Sequence, residues 1–161
     1  MIRVPLPGQA LESAAHSPLG FNSVRYIVMA IRYEFDEVNQ IVLVRIDGQL
    51  TDESLGDAYG AIRRYSVLTD AKAGIFDLTG VTEFAVSSEF VLRLATSEPA
   101  MPKADERPRV VIAPQTHAFG LVRMFQIVGE RTRPLFSAVK TMDEAVKFLR
   151  ASTPDFKPIE F

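Results

Sequence analysis

The spacing of apolar residues changes along this chain and marks its elements in turn. Ile27, Met29, Ile31, Tyr33 and Phe35 alternate without a phase break, the pattern of a strand with one buried face. Glu37–Gln40 reads as a turn. Ile41–Ile46 is a β-branched run ended by Asp47-Gly48, so the two runs predict an antiparallel hairpin. Thr51 and Asp52 suit a helix N-cap. Leu55, Ala58, Tyr59 and Ile62 follow at helical spacing, predicting a first helix to about Val67. Ala73–Phe76 is a short apolar strand ending at Asp77. After a turn, Ser87 and Ser88 open a second helix carried by Phe90, Val91, Leu94 and Ala95. The stretch 98–108 holds three prolines and both charge signs, and reads as an exposed loop. Val110–Ala113 is a buried strand stopped by Pro114. Thr116 is placed to cap a third helix reaching about Glu130, and Leu135–Val139 is a last strand. Thr141 and Glu144 form the capping box of a final helix, whose apolar stripe is Ala145, Val146, Phe148 and Leu149.

The resulting order is β-β-α-β-α-β-α-β-α. A hairpin followed by strand–helix alternation predicts an α/β fold with a mixed sheet. The strands joined by helices run parallel through right-handed crossovers, and helices pack on the sheet. Residues 1–26, punctuated by Pro5, Pro7, Gly8, Pro18 and Gly20, read as an irregular extension. The domain is expected over 27–152. Residues 153–161, with Pro154 and Pro158, are expected to form a loose tail. Met29, at the start of the domain, offers an alternative translation start.

Composition narrows the function classes. The chain has 161 residues, the size of one domain, with apolar and charged fractions ordinary for a globular protein. Its net charge of -2 gives no bulk attraction to nucleic acid or anionic membranes. It has no cysteine, which excludes disulfides and thiolate metal sites and fits a cytoplasmic location. The apolar run Tyr26–Ile31 is too short for a membrane span. His16 and His117 are the two histidines, too few to predict a metal cluster, and no cofactor is implied.

The segment Asp77-Leu78-Thr79-Gly80-Val81-Thr82, set in this element order, resembles the STAS superfamily, the sulfate-transporter and anti-sigma-factor-antagonist domains. In the antagonists a similar stretch leads into an Asp-Ser-Ser-Gly turn whose serine is phosphorylated by a partner kinase. Here Val86-Ser87-Ser88-Glu89 stands at the matching place, with Val86 for the aspartate and Glu89 for the glycine. Val110–Phe125 is more similar to bacterial STAS-like proteins, some grouped with lipid-binding SEC14-type domains. The resemblance spans roughly residues 30–150 and implies a regulatory, protein-binding role.

Each candidate residue has a plain reading beside the functional one. Ser87 and Ser88 lie at a helix start, where unpaired N–H groups and the macrodipole favour an anion; one caps the helix, or one accepts a phosphate. Asp77 ends a strand, either closing an Asx turn or facing a ligand at the strand ends. Thr79 and Thr82 follow it and share its candidate surface. On the third helix Leu121, Met124, Phe125 and Val128 form an apolar arc opposite Arg123, Gln126 and Glu130. Phe119 falls within the polar arc, so it marks a contact surface, tucks under the 98–108 loop or packs on the neighbouring chain segment. His117 is the one available general base, but neither a Gly-x-Ser-x-Gly elbow nor a Gly-rich phosphate loop accompanies it. The expectation is therefore a non-enzymatic interaction domain. Its surface comprises Asp77, Thr79, Thr82, His117, Phe119 and Arg123, and it meets a protein partner. The alternatives are a carrier of a small apolar ligand or lipid, which needs an apolar pocket, and a minor hydrolase, which needs Ser87 or Ser88 bonded to His117.

Overall fold

A computed structural model describes residues 29–97 and 106–160. Seven strands among them form one sheet: β1 Ala30–Asp36, β2 Ile41–Thr51, β3 Ala73–Asp77, β4 Val81–Ala85, β5 Arg109–Ile112, β6 Phe136–Val139 and β7 Lys157–Pro158. Four helices are described, α1 Asp52–Leu68, α2 Ser88–Thr96, α3 Thr116–Val128 and α4 Met142–Phe148. The spatial order is β6-β5-β3-β2-β1-β7, and β4 also pairs with β2. β2, β3, β5 and β6 run parallel, whereas β1 is antiparallel to β2 and β7 to β1. The expected mixed α/β architecture is the one observed.

β2 explains how the sheet is built. Ile41–Val44 is buried on both faces, as its unbroken apolar run requires. Val42, Val44, Ile46 and Leu50 face a core shared with α1, α2 and α3 through Ala58, Ile62, Val91, Ala118, Leu121 and Val122. Ile41 and Leu43 belong to the opposite face, with Ile75, Val110, Ile112 and Ala145 of α4. Asp47-Gly48 was expected to end this strand. Instead Gly48, at φ 90°, takes up a step in register between Gly48 and Gln49, and the strand runs on to Thr51. Glycine reaches that conformation without Cβ strain, so the step is a bulge and not a turn.

That continuation creates β4, which the periodicity did not announce. β3 pairs with β2 over Ile41–Arg45, and β4 pairs in parallel with its second part, Gly48–Thr51. The two short strands thus lie end to end along one long one. The expected loose tail is a second correction. Asp155 N donates to Asp36 Oδ2, Lys157 and Pro158 pair with β1, and Ile159 N donates to Tyr33 O. Asp36, 1% exposed, anchors this closure. It accepts from Val38 N, Asn39 N and Asn39 Nδ2, and Asn39 in turn bonds Ser152. Residues 1–28 and most of the 98–108 loop lie outside the described residues.

Candidate functional site

The edge at the end of β3 is built on Asp77. Its carboxylate is buried. Oδ1 accepts Thr79 N at 2.9 Å, closing the Asx turn, and Oδ2 accepts Arg45 Nη1 at 2.7 Å. Arg45 also holds Glu34 at 3.1 Å. Both oxygens of Asp77 are thus spent on scaffold, so it does not face a ligand as a candidate contact. Gly80 O receives Gly48 N, seating the turn on the β2 bulge. A Cβ on Gly80 would fall on the Asp47 carboxylate, 2.8 Å from its Cγ, which is why glycine stands there. β4 then leaves Thr82 and Glu83 exposed between buried Val81 and Val86.

Ser87 is the N-cap of α2. Its hydroxyl accepts Phe90 N at 3.2 Å and donates to Asp52 Oδ2 at 2.7 Å, while Ser87 N donates to Asp52 Oδ1 at 2.7 Å. The starts of α1 and α2 are therefore latched by one carboxylate. The Ser87 hydroxyl bond, then its backbone N–H, with the charge of Arg93 adding, hold Asp52 below the usual carboxylate range. Ser88 is exposed, its hydroxyl 3.4 Å from Glu89 Oε2.

α3 begins differently from expectation. Thr116 is its first residue, and the N-cap is Gln115, which makes no side-chain cap bond. Gln115 Nε2 instead donates to Val81 O at 2.6 Å, tying α3 to β4. His117 is exposed and set edge-on to Phe84, ring centroids 5.8 Å apart. The bond a serine nucleophile would need with His117 is not formed, because the Ser87 hydroxyl serves Asp52. Phe119 is half-buried against the core with Lys140 Nζ 5.0 Å from its ring centroid, so of its readings the packed one holds and Phe119 is not a free contact. The arc turns with it: Ala118, Leu121 and Val122 are buried, whereas Val128 is 41% exposed. Arg123 is exposed, nearly two turns beyond His117, and bonds Gln126, whose Oε1 also accepts Ala138 N of β6. Thr79, Thr82, Ser88 and His117 thus present exposed side chains on or beside one braced segment. Asp77 and Ser87 brace it, and Arg123 lies away towards β6.

A second feature is a pocket of the kind the carrier alternative needs, with arginines in its wall that the sequence did not announce. Between the sheet and the helices lies a largely apolar cavity of about 90 Å³. Leu50, Phe76, Val91, Leu121 and Phe136 are among its walls, together with Arg107, Arg109 and Arg133. Arg133 is 5% exposed. Its guanidinium bonds Leu94 O, Ala95 O and Ser97 O at the end of α2, with Tyr59 and Thr132 hydroxyls alongside, and lies 5.1 Å from the Phe125 ring centroid. No local pattern flags it: Arg131-Thr132-Arg133-Pro134 looks like a solvated turn, and its partners are distant in sequence. Among the described residues no cluster of three or more His, Asp or Glu is arranged to hold a metal, and no helix is long and apolar enough to cross a membrane.

No family model matches the chain, and no curated protein matches it. Among solved structures it is similar to an anti-sigma factor antagonist from Mycobacterium paratuberculosis, with 20% identity over 76% of this chain and 95% of that one, and a TM-score of 0.48.

Proposed function

We propose that this chain is a non-catalytic, STAS-like regulatory domain. In this reading it binds a protein partner through the edge bearing Thr79, Thr82, Ser88 and His117. One observation carries the reading. The two groups on this edge best suited to chemistry, Asp77 and Ser87, are consumed as anchors, while their neighbours stand exposed on backbone braced at both ends. Such a segment is preorganised for contact, which lowers the ordering cost of association. If the partner interaction is switched by phosphorylation, Ser88 is the reachable hydroxyl. A phosphate on Ser87 would meet the Asp52 carboxylate and exchange a hydrogen bond for repulsion.

The test is recovery of partners from the native host with the wild type and with Thr82→Arg and His117→Glu, alongside phosphopeptide mapping. A partner held by the wild type and lost by both variants, with their melting unchanged, supports the reading. Identical partner sets in all three would remove it. Phosphate found on Ser88 would add the switch, and its absence under all growth conditions would leave a constitutive binder.

A further inference from the structure

Independently of the protein-binding edge, we propose that Gln126 guards the open side of the sheet, keeping β6 from pairing with β6 of a second copy of this chain. Among the described residues β6 ends the sheet, with β5 on one side and no strand on the other. An open strand is a template for another chain, and proteins commonly blunt it with a charge, a proline or a bulge. Phe136–Val139 carries none of these: its sequence is Phe-Ser-Ala-Val and its register with β5 is unbroken. That register decides which main-chain groups lie open. Arg109 N donates to Leu135 O and Ala113 N to Val139 O, so Leu135, Ser137 and Val139 turn towards β5. Phe136, Ala138 and Lys140, in the alternate positions, turn outward. Each of these outward N–H groups is already engaged from within the chain. Phe136 N donates to Arg133 O at 3.3 Å, Ala138 N to Gln126 Oε1 at 3.3 Å and Lys140 N to Glu144 Oε2 at 2.7 Å. The first belongs to the turn before β6 and the last to the start of α4. The middle one is not local. Gln126 reaches it from α3, and Arg123 Nη1 holds the same oxygen at 2.8 Å. A helix side chain thus stands where the carbonyl of an adjoining strand would stand.

Symmetry names the occupant that is kept out. Ala138 turns both its N–H and its C=O outward, so two copies related by a twofold axis at this residue can exchange both bonds. In that antiparallel register Phe136 of each copy lies opposite Lys140 of the other, an aromatic ring against a cation. The pairing is self-complementary, and the Gln126 bond at its centre denies it the donors it needs.

The test is sedimentation of the full chain from micromolar to millimolar concentration. Gln126→Ala removes the acceptor and adds no apolar anchor, at a helix position that alanine suits. It should self-associate at least roughly tenfold more tightly than the wild type, because each dimer gains two main-chain bonds. Gln126→Glu keeps an acceptor oxygen and should sediment as the wild type does. An altered helix surface could itself drive association, so Ala138→Pro is added to Gln126→Ala. Proline removes the N–H that the second copy would use, and that N–H is not one that β5 uses, so the sheet should stand while the gain disappears. Amide exchange at Ala138 gives a second readout on the single variant. It should be faster than in the wild type when Gln126→Ala is dilute, and slow again as the variant is concentrated. The proposal is overturned by any of four results: Gln126→Ala no tighter than the wild type, Gln126→Glu as tight as Gln126→Ala, a gain that survives Ala138→Pro, or Ala138 exchange that Gln126→Ala leaves unchanged at every concentration.

Discussion

Asp52 and Ser87 stand 35 positions apart, and the latch between them does two jobs at once. The serine hydroxyl caps α2 through Phe90 N, and the same oxygen donates to the carboxylate that opens α1. Ser87→Ala should cost about 0.5–2 kcal/mol in urea unfolding, the usual worth of such a cap. The pH dependence follows from the direction of the Asp52 shift. Its folded value lies below the ordinary value of about 3.9, so the stabilisation from ionised Asp52 is full above that value. It is lost as pH falls through the lower folded value. The gap between wild type and Ser87→Ala should therefore be widest near neutrality and narrow in acid. It should not vanish, because the Phe90 cap bond does not titrate. A gap that widens in acid would assign the latch the wrong sign.

At the scale of elements, the closest fit is where β3 passes into β4. Gly80→Ala should push Asp47 away and break its 3.0 Å pair with Arg32, lowering stability by about 1 kcal/mol or less, the worth of an exposed ion pair. With Asp47→Ala already in place the added loss should shrink, so the double variant should lose less than the two single variants together in a thermal-melt cycle. Additive costs would mean that the obstruction is backbone and not carboxylate. This junction also shows what periodicity reads and what it misses. The Thr141–Glu144 box and the Ser87 cap were legible because they are local bonds between residues three apart. The Asx turn at Asp77 was legible for the same reason. β4 was not, because Thr82 and Glu83 are exposed and the strand exists only to continue the pairing of β2 past its bulge. Phe119 was misplaced because a pure helical wheel takes no account of Lys140 and the sheet rim packed beside it. Arg133 was invisible because every bond but one that buries it comes from Tyr59 or the end of α2.

For the molecule as a whole, the last residues are part of the fold. Phe156 packs on the α4 side and Ile159 on the other, while Lys157 and Pro158 extend the sheet beside β1. Ending the chain after Ser152 should lower the melting temperature by more than about 5 °C, taking 2–4 °C per kcal/mol for a chain of this length. An unchanged temperature would return the tail to the loose segment its prolines suggest. β2 is the longest of the described strands and lies in the middle of the sheet, with β1 along Ile41–Asp47 on one side and β3 then β4 in series on the other. Its amides can meet solvent only when the whole sheet comes apart, whereas β4 can lift from β2 alone. Hydrogen–deuterium exchange should thus be slowest at Val42–Ile46, at the rate of global unfolding, and faster by a sub-global opening in β4. Equal protection of the two strands would contradict this. The surface proposed to meet a partner is thus hinged on the strand expected to open most slowly, and on that proposal a bound partner should register as slowed exchange in β4 while β2 keeps its rate.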